Sequence, residues 1–343
     1  MYSYRFHEAE AALDSAMALD PYHPVPPFVA VANRWQLSLT EEGFKASHEA
    51  LLQAIDAAIP RYDAMISRCG RRADILLFLG STYGLRARVH LGDKKWLAGL
   101  YSGLKGWSLI RQAYALDSTL ADADLPIGAF DYYTGMHSAP LQLVARLFGV
   151  NPNRSRSIQV LQRAVRQAPY AWMEAASVLS IVYLYFEDDP EMAYQYTDLL
   201  LSHYPENYYF NFLMGEELVR THRLAEAREF MPRLRALIER SHPNQRLEWE
   251  LKFAALEAAL AFEEGDLDKA LERCGWVIDH YDMEFDWHLG MVHYIRGQIR
   301  EGRADLIGAR EDYRVVAKLG NRTYLVEEAR VAQDRVSRMM AGR

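Results

Sequence analysis

Hydrophobic positions recur along the chain at the spacing of amphipathic helices. Stretch after stretch places apolar side chains at i, i+3, i+4 and i+7 and is rich in Ala, Leu, Glu and Arg, which is typical of a helix with one buried face. Runs of alternating Val, Ile and Thr bounded by turn residues, which would indicate strands, are nearly absent. Asp-Pro, Gly-Asp and Gly-Arg dipeptides separate the stretches. The pattern predicts an all-α chain.

A second regularity is a recurring order of side-chain sizes within these helices. A small residue is followed by a large one four positions later, by a small or medium one after seven, and by a helix-ending residue after twelve. The series is Ala9, Leu13, Ala16, Pro21; then Ser157, Leu161, Ala164, Pro169; then Ala193, Thr197, Leu200, Pro205; with weaker copies that start at Gly106 and Ala270. The same spacing at several places predicts repeated helix pairs.

The helices that precede these series carry a complementary signature. It reads Leu79-Gly80 then Tyr83, Leu179-Ser180 then Tyr183, and Met214-Gly215 then Leu218. Together the two signatures resemble the tetratricopeptide repeat (TPR), a helix–turn–helix unit, in a bacterial type with long insertions between repeats. The resemblance implies an all-α helical-repeat (TPR-like) solenoid in which the small residues lie where paired helices cross.

The resemblance covers residues 1–322, as about seven to eight helix pairs. Insertions are predicted at about 92–106 and 135–155, and residues 323–343 read as a C-terminal capping helix. Pro60 is expected to end or kink its helix, so the repeat register is open in residues 22–70, as it is in 120–155.

The beginning of the chain resembles the second helix of a pair. Residues 9–21 have that spacing, but only eight residues precede them. One interpretation is that the natural chain extends upstream of Met1. The alternative is that the protein begins here and residues 1–8 cover the exposed face.

Composition narrows the classes of partner. Lys and Arg number 39 against 46 Asp and Glu, a net charge of −7, without a basic run, which argues against nucleic acid as the main partner. No apolar run is long enough to predict a membrane span. Cys69 and Cys274 have no metal-binding spacing, and no cofactor is predicted. The compartment, cytoplasmic or periplasmic, and the oligomeric state stay open.

Candidate catalytic motifs fail on their context. The stretch at 80–84, GSTYG, resembles a nucleophile elbow, but it lies inside a helical pattern where a strand–turn–helix is required. The glycines of 99–106 lack the Gly-Lys-Ser/Thr end of a phosphate loop. His288 and His293 are five residues apart and do not share a helix face. The sequence therefore predicts a protein that is not an enzyme.

The predicted functional feature is the groove lined by the first helix of each pair, as the TPR resemblance implies. The candidate groove residues are Asp74, Tyr132, Tyr133, Glu174, Tyr185, Tyr209, Phe212 and Glu216. Aromatic rings with scattered carboxylates suit a protein segment with apolar anchors and basic residues, so a scaffold or adaptor is predicted. The alternative for the aromatic residues is a place in the core.

Two further alternatives concern the insertions. If they close one end of the groove, it becomes a pocket for a small molecule, a lipid or a glycan. Within 139–149, Leu143 and Leu147 lie largely on one side with other apolar residues. That segment is expected to pack onto the solenoid as an extra half-helix, and the alternative is contact with a membrane or a partner.

Overall fold

A computed structural model of the chain describes residues 1–93, 95–136, 142–143, 146–147, 149–150, 152–320 and 322–341. These ranges contain helices and turns and no strand. The chain divides into two compact units, Met1–Ala176 and Ser177–Arg343, and each is described by itself.

The first unit is built from helices that pack on their neighbours in sequence, α2 on α3, α4 on α5 and α6 on α7. The bounds are α1 Phe6–Leu19, α2 Val25–Glu41, α3 Phe44–Cys69, α4 Ala73–Gly92, α5 Trp96–Leu116, α6 Asp124–Gly135 and α7 Arg154–Gln167. A helix α8 (Trp172–Ile181) begins in this unit and ends in the second. A short 3₁₀ turn, Ala121–Ala123, precedes α6.

The second unit continues the pairing with shorter and more regular helices. The bounds are α9 Pro190–His203, α10 Tyr208–Arg220, α11 Leu224–Arg240, α12 Pro243–Glu263, α13 Leu267–His280, α14 Trp287–Gly302, α15 Leu306–Lys318 and α16 Tyr324–Ala341. A π-helix, Val182–Phe186, follows α8 directly. The last helix, α16, packs on α15 and falls within the predicted capping helix, 323–343.

Small residues lie where paired helices cross, as the repeat pattern predicts. A Cβ atom added at Gly80 would lie 2.8 Å from the carbonyl oxygen of Gly106, and one added at Gly215 would lie 3.1 Å from Leu234 of the paired helix α11. At Ser180, the remaining small residue of the three, the hydroxyl lies 2.8 Å from that of Thr197 on the paired helix. The predicted fold class, an all-α helical repeat of TPR type, is confirmed.

The structure corrects the prediction of an inserted connection at 92–106, because α5 begins at Trp96 and includes most of that stretch. Its glycines face the small residues of α4. A Cβ at Gly106 would lie 2.7 Å from the Gly80 oxygen, and one at Gly103 would lie 3.7 Å from Ala87. Glycine here permits two helices to approach closely; it does not break one of them. Likewise α3 continues through Pro60.

The predicted insertion at 135–155 joins α6 to α7. Residues 137–141, 144, 145, 148 and 151 lie outside the described residues, so the half-helix expected there is not tested as a whole. Leu143 and Leu147 are described, and both are exposed, at 61% and 80%. These two leucines do not pack into the interior.

Candidate functional site

In the first unit, side chains from four helices meet on one face and remain open to water. They are Trp35 of α2, Arg88 of α4, Tyr133 of α6 and Glu174 of α8, joined by Tyr2 from the start of the chain; we call this group the open cluster. The helices involved, α2, α4, α6 and α8, are the first members of their pairs. The TPR pattern places such helices, here called front helices, along the groove.

The contacts within the open cluster are polar and aromatic. The Tyr2 hydroxyl donates to Glu174 Oε2 at 2.9 Å, and the Arg88 guanidinium lies 4.6 Å from the centre of the Trp35 ring. The positive charge of Arg88 also acts on Glu174. A carboxylate, a guanidinium and aromatic faces thus lie side by side, and each is a common element of protein recognition sites.

Two side chains of the open cluster are exposed to water and still lose hydration to the protein around them. Glu174 is exposed, yet the surrounding protein reduces its hydration and raises its pKa, against the hydrogen bond from Tyr2 and the charge of Arg88. Tyr133 is 39% exposed, yet the same loss of hydration, helped by Glu174, raises its pKa to about 12. The protein around the open cluster therefore disfavours the charged forms of both side chains.

Two other predicted groove residues of the first unit do not belong to the open cluster. Tyr132 is fully buried, with the guanidinium of Arg154 5.5 Å from its ring centre, so it belongs to the core. Asp74 lies in the first turn of α4, where it accepts a hydrogen bond from the Ile75 backbone at 2.9 Å and pairs with Arg72. An acidic side chain at this place stabilises the start of the helix.

In the second unit the equivalent face is closed by its own side chains. Glu216 of α10 accepts a hydrogen bond at 2.6 Å from the Tyr185 hydroxyl and lies 2.7 Å from His288 Nε2 of α14. All three residues are more than nine-tenths buried; we call them the closed network. They connect the π-helix, α10 and α14, and so bridge front helices that are not consecutive in sequence.

Burial and the hydrogen-bond partners of Glu216 shift its pKa in opposite directions. Burial alone would raise the pKa of this carboxyl, but the charge and hydrogen bond of His288, with the hydroxyl of Tyr185, hold it below its ordinary value. Burial next to Glu216 raises the pKa of Tyr185 well above the usual range. The network is therefore an ionised carboxylate with both oxygens bonded, the arrangement that makes a buried charge tolerable.

The pKa of the neighbouring Glu217 is raised, in contrast to that of Glu216. It accepts hydrogen bonds from Thr197 at 2.7 Å and Ser180 at 3.0 Å, but no cation opposes it. Burial raises its pKa to about 8. Glu217 is therefore a protonated carboxylic acid at neutral pH.

The predicted groove in the second unit is thus corrected: Tyr185, Phe212 and Glu216 are interior residues. Phe212 is 2% exposed and stacks on Trp249 at 5.2 Å. Only Tyr209 keeps partial exposure, with Lys252 Nζ 5.2 Å from its ring centre. Positions 251–256 and 258–261 of α12 are buried all round, so this front helix presents no open face there.

A small cavity lies beside the closed network in the second unit. Its volume is about 30 Å³, and its lining includes Tyr185, Glu216, Leu256, Trp287 and Tyr324. Pockets for small ligands are about ten times larger or more. The cavity accommodates a water molecule and excludes a metabolite.

Sequence reasoning missed Tyr2, Trp35, Arg88 and His288. Arg88 lies fourteen positions, close to four helical turns, after the predicted groove residue Asp74, so the helical period of α4 could have reached it. Trp35 lies in a stretch whose register was open. Tyr2 and His288 have no local signal, because their partners are 172 and 72 residues away in sequence.

Metal-ligand clusters, cysteine pairs and membrane-spanning helices are absent from the part of the chain that the structure describes. No group of three His, Cys, Asp or Glu side chains there is arranged to hold a metal ion. Cys69 and Cys274 are free thiols. Over the same residues, no helix combines the length and apolar character that crossing a bilayer requires.

The sequence matches no family model and no curated protein. The crystal structure of the TPR domain of P58(IPK) is similar over 99% of this chain and 96% of that chain, with 11% sequence identity and a TM-score of 0.31. The fold class of this protein, a TPR-like helical repeat, rests on the helix pairs described above.

Proposed function

We propose that the protein is a non-enzymatic interaction scaffold that binds a segment of a partner protein at the open cluster. Helical-repeat proteins bind through extended surfaces formed by successive repeats. The observation that supports the proposal is the open cluster itself, in which side chains from four front helices meet on a face that water can reach.

The chemistry of the open cluster indicates what kind of segment would fit. The faces of Trp35 and Tyr133 suit an apolar or aromatic anchor. Glu174, an exposed acidic side chain, suits a Lys or Arg side chain of opposite charge. Arg88 would pair with an acidic group or a backbone carbonyl of the same segment.

The small-molecule alternative receives no comparable support. It requires a pocket closed by the insertions, but the stretch at 92–106 is mostly helix α5. The cavity in the second unit, at about 30 Å³, is too small for a ligand.

The test is a pull-down from a lysate of the native host with the wild type and with the double variant Tyr133→Ala/Glu174→Gln, followed by mass spectrometry. We expect a partner that the wild type captures and the variant loses by about tenfold or more, as for a central recognition residue. Both side chains are exposed, so helicity by circular dichroism should be unchanged.

The matched control is Tyr22→Ala/Glu10→Gln, which makes the same substitutions in the same unit outside the cluster. Tyr22 is 40% exposed, against 39% for Tyr133. The control should retain the partner. If it loses the partner equally, or if the Tyr133/Glu174 variant retains it, binding does not occur at the open cluster.

A further inference from the structure

The first part of α5 carries apolar side chains that point into water. Leu97 is 86% exposed, Leu100 58% and Tyr101 66%. Their spacing, i, i+3 and i+4, places them on one face of the helix. Single exposed apolar residues are ordinary, but three neighbouring ones on one helical face form a patch, and patches mark contact surfaces.

A second pair of exposed apolar residues lies in the connection between α6 and α7. Leu143 and Leu147 are 61% and 80% exposed. The same connection reaches α5, because a Cβ added at Gly149 would overlap the guanidinium of Arg111. Arg111 follows Leu97 by fourteen residues, close to four helical turns, so both lie on the solvent side of α5.

Charge separates these two segments from the rest of the protein. Residues 94–116 contain four basic residues and no Asp or Glu, and residues 132–173 contain five basic residues and no Asp or Glu. The whole chain has a net charge of −7. Some of these cations have protein partners, such as Lys95 with Asp93 and Arg163 with Asp124. Even so, neither segment contains an acidic residue that would repel acidic groups near the leucines.

We propose that this face, formed by Leu97, Leu100, Tyr101, Leu143 and Leu147 with the exposed basic residues Lys95, Lys105, Arg111 and Arg146, docks on the surface of an anionic lipid bilayer. Exposed leucine and tyrosine side chains enter the interface between headgroups and acyl chains, and Lys and Arg are attracted by acidic headgroups. The protein lies on the membrane through this face. The proposal does not depend on partner binding at the open cluster.

Charge complementarity favours lipid over a second copy of this chain. A symmetric dimer brings the same patch of each copy together, so it would place the basic residues of the two copies opposite one another. An anionic membrane instead supplies acidic groups for the basic residues and an apolar layer for the leucines.

The experiment is co-sedimentation with vesicles of phosphatidylcholine containing about 30% phosphatidylserine, compared with vesicles of phosphatidylcholine alone. We expect binding to the anionic vesicles that weakens when salt is raised to about 0.5 M, because salt screens the headgroup charge. Leu97→Asp/Leu100→Asp should lower the partition coefficient by about tenfold or more.

The matched control is Leu19→Asp/Ile307→Asp, which exchanges two equally exposed apolar residues, at 88% and 70%, outside both segments. It should bind as the wild type does. The proposal is overturned if the wild type does not sediment with anionic vesicles, or if the two double variants bind equally. It is also overturned if light scattering shows a dimer that Leu97→Asp/Leu100→Asp dissociates while vesicle binding is absent, since that assigns the face to a second copy.

Discussion

The front-helix faces of the two units carry the same kinds of side chain, which are exposed in the first unit and buried in the second. In the first unit, Glu174 accepts a hydrogen bond from Tyr2 at 2.9 Å and feels the charge of Arg88, and the group is open to water. In the second unit, Glu216 accepts one from Tyr185 at 2.6 Å and faces His288, and the group is sealed. Both units therefore combine a glutamate, a tyrosine hydroxyl and a basic side chain. In the first unit this face is available to a partner, and in the second it is buried.

Burial decides between these outcomes because it changes the energetic cost of losing a partner. An exposed carboxylate that loses a hydrogen bond regains water, so the open cluster can exchange its contacts for those of a ligand. A buried carboxylate that loses its partners keeps an uncompensated charge. The closed network is accordingly expected to stabilise the second unit, and the open cluster to contribute little to the stability of the first.

The largest effect is expected for Glu216→Ala, which removes the carboxylate of the closed network. Without it, His288 and Tyr185 lose their buried partner, and the free energy of unfolding should fall by about 3–5 kcal/mol. Urea titration followed by circular dichroism measures the change.

The control for this prediction is Glu206→Ala, in the same unit. Glu206 pairs with Arg240 at 3.1 Å, and both side chains are about 60% exposed, so the loss should be about 0–1 kcal/mol. If the two variants lose equal stability, the closed network does not hold the second unit together.

The next effect is expected for Tyr185→Phe, which removes one hydroxyl and keeps the ring. The ring retains its contact with Trp287, at 4.6 Å between centres, while Glu216 Oε2 loses its donor. A hydrogen bond to a charged group contributes about 1.5–3 kcal/mol, and the free energy of unfolding should fall by that amount. A fall below about 0.5 kcal/mol would mean that the oxygen is hydrated, and that the face is not sealed.

A smaller, pH-dependent effect is expected at Glu217. It keeps its proton in the folded chain up to about pH 8, but loses it near pH 4.3, about its ordinary value, when unfolded. Between these values the folded chain binds one more proton, so this group makes the protein less stable as pH rises, by up to about 1.4 kcal/mol per pH unit. Glu217→Gln, which cannot titrate, should remove that slope.

The measurement is urea unfolding of the wild type and Glu217→Gln at about pH 6 and about pH 8. Relative to the wild type, the variant should gain about 2 kcal/mol between the two values. The exposed Glu229→Gln, on α11, is the control and should follow the wild type at both. Parallel pH profiles for wild type and Glu217→Gln would show that water or a cation reaches this carboxyl.

The helix pairs could be predicted because their signals are local. Gly80, Ser180 and Gly215 predict the helix crossings, because each stands in a repeat signature that spans only a few residues. The structure places each of them at a crossing. The stretch at 92–106 was predicted as an inserted connection, but most of it is helix α5, and Gly103 and Gly106 do not interrupt that helix. They instead match the small side chains of α4, and that fit appears only when the two helices are placed together.

The candidate site could be predicted only in part, because exposure depends on contacts that are distant in sequence. A helical period places Tyr133 and Glu174 on a groove-facing side, and it places Tyr185 and Glu216 there equally well. The second pair is buried by His288, 72 residues beyond Glu216. No local pattern records that this face closes while the other stays open.

The smallest effect is expected for Tyr2→Phe, which makes in the open cluster the change that Tyr185→Phe makes in the closed network. Each substitution removes a hydroxyl that donates to a glutamate oxygen. At Glu174 water replaces the lost donor, so the free energy of unfolding should fall by no more than about 0.5 kcal/mol. The pKa of Glu174 should rise further, because the hydroxyl of Tyr2 lowers it, and NMR titration of the carboxyl measures this directly. Equal stability losses for the two Tyr→Phe variants would show that the faces do not differ in burial, and the open cluster would then lose its claim as a binding surface.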